Sequence, residues 1–167
     1  GQGKEVEAAT FSPQSEPWLI RSHAGSLPMY SPMRDLSSQY FLARPDLPMT
    51  VQVQGPLTLR FTARPLHQGE ESSLDGWLEV RHSDTVQVRP ISGNRPSTGL
   101  SLRDAPQVGK GWRPGRAEVL VYALGPGLHS LEVASPEMDL ALQVAAFRPE
   151  AKDMLGGQQE ADPLLDN

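Results

Sequence analysis

Apolar and polar residues alternate through most of the middle of the chain. In "LTLRFTARP" (57–65), Leu57, Leu59, Phe61 and Ala63 fall on one side, and Thr58, Arg60, Thr62 and Arg64 on the other. A period of two predicts a strand with one buried and one wet face. The same reading covers "QYFLA" (39–43), "MTVQVQ" (49–54), "WLEVRHS" (77–83), "TVQVRPI" (85–91) and "LSLRD" (100–104). "RAEVLVYAL" (116–124) is more continuously apolar and reads as a central strand. "LHSLEVAS" (128–135) and "LALQVAAFRP" (140–149) complete the series. A helix over "MDLALQVAAF" competes weakly, because Leu140, Leu142, Val144 and Ala146 alternate.

Turn formers separate these runs. "GP" lies between 49–54 and 57–65, "GPG" between 116–124 and 128–135, and Ser83-Asp84 between the runs of a hairpin. "HQGEESSLDG" (67–76) reads as a polar loop, "SGNRPSTG" as a turn cluster and "APQVGKGWRPG" (105–115) as a Gly/Pro loop. About nine short strands with such punctuation predict an all-β protein, an antiparallel β-sandwich of jelly-roll type. The expected organisation is a leader or linker over 1–17, one domain over 18–149 and an acidic tail over 150–167. Residues 18–38 carry prolines and scattered large apolar groups. They read as an extended segment docked on the body, with Trp18 as its anchor. The tail has few such groups and is expected to order only against a partner.

Composition narrows the function classes. The 167 residues contain no cysteine, which removes thiol catalysis, disulfides and Cys-ligated metals. The net charge of −5 is carried by the ends. Residues 1–17 hold −2 and 150–167 hold −4, so the body stands at +1. A nearly neutral body with acidic ends does not suit nucleic acid, which needs clustered positive charge. No apolar run is long enough for a transmembrane helix.

"GPGLHSLEV" (125–133), preceded by "RAEVLVYAL", resembles the late hairpin of galactose-binding-like and other jelly-roll accessory domains of bacterial surface proteins. The likeness covers roughly residues 39–148. It implies a β-sandwich at the cell surface. The calcium and sugar ligands of that family lie in variable loops, and no residue here matches them.

Candidate chemistry is sparse. The four histidines, His23, His67, His82 and His129, show no close metal-ligand spacing. His129 shares strand parity with Leu131 and Val133, which predicts an inward, neutral, hydrogen-bonded imidazole at a strand entry. His67 and His82 flank the loop that holds Glu70, Glu71 and Asp75, where a site would form if the two strands converged. No nucleophile elbow, phosphate loop or dinucleotide fingerprint occurs. The candidate ligand-binding residues are aromatic groups beside polar ones: Trp112 with Lys110, Arg113 and nearby Asp104, and Trp77, which parity places on the outer sheet face. A flat ring packs on the C–H face of a sugar while polar groups hold its hydroxyls.

The expectation is a non-catalytic binding or assembly module, periplasmic, cell-surface or secreted. It would recognise polysaccharide or a protein partner and carry neither cofactor nor metal. The alternatives are a structural subunit held by its extended ends and, with the fewest supporting motifs, a small hydrolase or lyase.

Overall fold

The computed structural model describes residues 6–8, 19–33, 36–69, 72–102, 108 and 111–148. Trp18, Glu70, Glu71, Asp104, Lys110, the tail 150–167 and most of the leader lie outside the described residues. Among those described, all regular structure is β, and every pairing between strands is antiparallel. The strands are β1 (Val6–Ala8), β2 (Leu19–Ser22), β3 (Ser26–Ser31), β4 (Leu36–Ala43), β5 (Met49–Gln68), β6 (Leu74–His82), β7 (Thr85–Asn94), β8 (Ser101–Leu102), β9 (Trp112–Pro114), β10 (Glu118–Ala134) and β11 (Leu140–Phe147). The order across the sheet is β7-β6-β10-β5-β11-β4-β3-β8, with β1, β2 and β9 off this path.

The expected breaks at "GP" and "GPG" do not reverse the chain. Residues 49–68 form one strand, β5, and residues 118–134 form one strand, β10. The two pair from Glu118–Ala63 to Val133–Met49, with a register shift only between Leu124 and Gly127. Gly127 stands opposite Gly55, so the breakers of both strands fall at one level. A Cβ on Gly55 would run into the Gly125 carbonyl. Glycine there lets the two backbones approach closely. The breakers thus lie side by side in a continuous ribbon, at the level where its register shifts.

On the two sides of that level the partners differ. The first half of β5 pairs with β2, at Met49–Ser22 through Gln52–Leu19. The second half pairs with β11, at Thr58–Phe147 through Pro65–Leu140. Residues 19–31, expected as an irregular extended segment, are therefore largely strands of the sheet. Val51 and Val53 from one half, and Leu57, Leu59 and Phe61 from the other, belong to one core with Leu78, Val80, Leu120, Leu131 and Val133. Burial of this shared apolar face is the main source of the fold's stability.

A second, smaller core lies on the other side of β4 and β11. Phe41 and Leu140 point into the main core, whereas Tyr40, Leu42 and Ala141 point into a cluster with Leu27, Met29, Leu66 and Leu100. This corrects the expected wet face of β5: Thr62 and Arg64 are buried. Residues 96–102 and 111–115 return to this side. Pro96 bridges to Gly115, and β9 pairs with residues 66–68 of β5. Arg64 keeps its charge hydrogen-bonded there. Its Nε donates to Tyr40 Oη at 3.0 Å and its Nη1 to the Gly115 carbonyl at 3.0 Å, as a buried guanidinium requires.

Candidate binding face

The outer face of β6 is open. Leu78 and Val80 are inward, so Trp77, Glu79 and Arg81 project outward from alternate positions. The Glu79 carboxylate accepts from Trp77 Nε1 at 2.7 Å through one oxygen, and from Arg81 Nη2 at 3.0 Å through the other. The indole and the guanidinium are thereby held at the two ends of one ladder. Register extends this face: Val86, Arg81, Glu132, Thr50 and Arg21 stand opposite one another on β7, β6, β10, β5 and β2.

Two shallow basins of about 240 and 430 Å³ open on this face and share Arg81 and Glu132. Pro45, Pro48 and Pro136 wall the first; Asp84 and Val86 help line the second. Together they gather Glu79, Glu132 and Asp84 against Arg81. Such a surface offers donors and acceptors to hydroxyl groups, with an indole beside them.

The other aromatic candidate sits elsewhere. Trp112 opposes Gln68, is half-buried and packs against the second core. Arg113 opposes His67, and its Nη2 donates to the Ser97 carbonyl at 3.2 Å. Trp77 and Trp112 thus stand on separate strands and do not form one site.

Two histidine clusters occupy places that the loop pattern concealed. His67 is the penultimate residue of β5 and is fully buried. The Asn94 amide N–H groups donate to the Arg116 carbonyl and to Glu118 Oε2. Asn94 Oδ1 therefore accepts from His67 Nε2, at 2.8 Å. That fixes the tautomer: the bare Nδ1 accepts from the Ser72 hydroxyl at 2.6 Å. Burial pushes the His67 pKa down; the Asn94 bond opposes this and nearby Arg95 adds to it. Gly115 covers the cluster so closely that a Cβ would collide with Asn94 Oδ1 and the imidazole. A serine donating to a neutral histidine oriented by an asparagine is also how nucleophiles are aligned. Here the ring has no exposed surface, and its nitrogens link β5, β7 and the residues between β5 and β6.

His82 does not converge on His67. Its Nδ1 meets Tyr122 Oη at 3.0 Å, and its Nε2 meets His129 Nδ1 at 2.9 Å. His129 Nε2 donates to the Gly125 carbonyl at 2.7 Å. With both rings neutral the chain has one direction: Tyr122 to His82 to His129 to Gly125. His129 is half-buried, and its bond to the Gly125 carbonyl lies within β10, across the level where the register shifts. Among the described residues, no three His, Asp or Glu side chains converge as a metal site would need, and no helix is long and apolar enough to cross a membrane.

Comparison with protein-family models, curated proteins and solved structures finds no match to this chain.

Proposed function

We propose that this protein is a non-catalytic binding module, a β-sandwich of jelly-roll kind that works in the bacterial envelope or outside the cell. It holds a polysaccharide on the outer face of β6 and β10. One observation carries the reading: two open basins share Arg81 and Glu132, and Glu79, which lines the first, is bonded to both Arg81 and Trp77. A shallow face of this kind suits a chain of sugars better than a single small molecule, which prefers an enclosed pocket. The carboxylates outnumber the guanidinium in the basins. A neutral or amino-bearing glycan fits better than a polyuronate, whose charge Glu132 and Asp84 would repel.

Retention on immobilised glycans tests the idea. The native chain should be retarded on a neutral or amino polysaccharide. Trp77→Ala and Glu132→Gln should elute earlier, with unchanged circular dichroism. If no neutral, amino or acidic glycan retards the native chain, or if Trp77→Ala binds as well as native, the sugar reading is wrong. Catalysis is tested separately. A serine-directed fluorophosphonate should leave Ser72 unlabelled, because His67 and Asn94 are enclosed in the fold. Labelling at Ser72 that disappears in His67→Gln would turn the protein into a hydrolase candidate.

A further inference from the structure

We infer that two copies of this chain associate edge to edge through β7, with Val86 of each copy opposite Val88 of the other and a two-fold axis at Gln87. The inference is independent of the glycan reading. Among the described residues β7 pairs only with β6 and lies at the end of the sheet. Residues 85–90 are exposed on both strand faces. Val86 and Val88 are 45 % and 48 % exposed, although they sit in a regular ladder. An exposed edge of this kind is a template for another strand.

The hairpin geometry says which backbone groups are on offer. His82 opposes Thr85 across the two-residue turn Ser83-Asp84, and Ser83 has φ 55°, as the first central residue of a type II′ turn does. The pair closing such a turn is hydrogen-bonded, and the bonding alternates along the ladder. Thr85, Gln87 and Arg89 therefore bond inward to β6. Val86 and Val88 direct both N–H and C=O off the free edge. Pro90 directs only a carbonyl there, because proline has no N–H. The edge offers two complete donor–acceptor sets, bounded by the turn on one side and by Pro90 on the other.

A second copy satisfies those sets in one antiparallel register. Val86 against the other copy's Val88, in both directions, forms four backbone hydrogen bonds. Pro90 then falls opposite Asp84, where the ladder ends. Moving the strands by two residues either way would set Pro90 or the turn residue Asp84 inside the ladder. In the favoured register no like charges oppose each other. Arg89 meets Thr85, and Gln87 meets Gln87, whose amides can donate and accept reciprocally. The four valines gather on one face, which is the face that carries Trp77, Glu79 and Arg81 in each copy. That contact is isologous and closes as a dimer. It also sets two ladders on one continuous surface, where a repeating polymer can engage both.

Four hydrogen bonds and four valines make a contact smaller than a typical stable interface, so the dimer is expected to be weak, with half-association at roughly 0.1 mM. The chain has no cysteine, which allows a clean test in the full chain. Across the two-fold axis, Gln87 forms a non-hydrogen-bonded pair with itself, with Cα atoms about 4.5 Å apart, within disulfide reach. Gln87→Cys should give a disulfide-linked dimer under mild oxidation at least about tenfold faster than Val88→Cys, whose self-pair lies beyond about 7 Å, or the exposed control Thr98→Cys. Sedimentation of the native chain should show a concentration-dependent dimer. Val88→Pro, which removes an outward N–H without touching the β6 ladder, should abolish it, and Val88→Lys should weaken it. Equal cross-linking rates for the three cysteine variants would overturn the inference. So would a native chain that stays monomeric to about 0.5 mM, several times the concentration at which half should be paired. A monomer whose β7 edge captures an extended foreign peptide instead would overturn it as well.

Discussion

Arg64 and Arg81 both occupy the polar parity of an alternating strand, yet one is fully buried and the other is 58 % exposed in its side chain. Arg64 lies on the part of β5 where β9 and Gly115 pack, and it is held by Tyr40 and the Gly115 carbonyl. Arg81 lies on β6, on a face only partly walled by Pro45, Pro48 and Pro136, and its side chain is held there by Glu79. The covered end carries the second core, the enclosed His67 cluster and a glycine that cannot accept a side chain. The open end carries an ion pair, an indole and a row of exposed β7 residues. The same residue type is a structural pin in one place and an exposed, ion-paired side chain in the other. What differs is whether a distant segment returns to cover the face.

Substitutions at the covered end should be the costly ones. Gly115→Ala forces a Cβ against Asn94, His67 and the Pro65 carbonyl. We expect a loss of about 3 kcal/mol from overpacking and the broken cluster, read from urea denaturation. A change below about 0.5 kcal/mol would mean that this end is looser than its contacts indicate. Leu42→Ala, in the second core, should cost about 2–5 kcal/mol. If it proves neutral, the covering segment does not hold the second core in solution.

An intermediate effect should come from acid. Burial holds the His67 pKa below its ordinary 6.5. Above that value the ring is neutral in both the folded and the unfolded chain, and its contribution is constant. As pH falls below 6.5, the unfolded chain takes up a proton that the folded chain resists, so stability declines toward the folded pKa. His67→Gln should flatten the decline between neutral pH and about pH 5, measured as unfolding free energy against pH. An unchanged slope would assign the acid sensitivity to other groups.

The smallest effect should be at the open end. Arg81→Ala removes an exposed pair and should shift stability by no more than about 0.5 kcal/mol. It should nonetheless weaken glycan retention, because Arg81 borders both basins. A large stability loss would show that the ladder is structural, and the contrast between the two ends would fail.

Alternation along the chain was enough to predict strands over 57–65, 77–83 and 85–91, the outward position of Trp77 and the inward start of His129. Each depends only on side chains switching sides at every residue. The same pattern could not say that "GP" and "GPG" stand opposite each other. Breakers reverse a chain when isolated, but the strands run on through them where breakers of two paired strands stand at one level, as Gly55 and Gly127 do. Nor could it show that Thr62 and Arg64 are covered, that His67 is buried beside Asn94, or that Trp112 packs on the second core while Trp77 stays on an open face. Local sequence determines which residues share a face. Whether that face meets water or another segment depends on distant residues. For Arg64 these are Tyr40 and Gly115, 24 and 51 positions away, and only the tertiary structure brings them there.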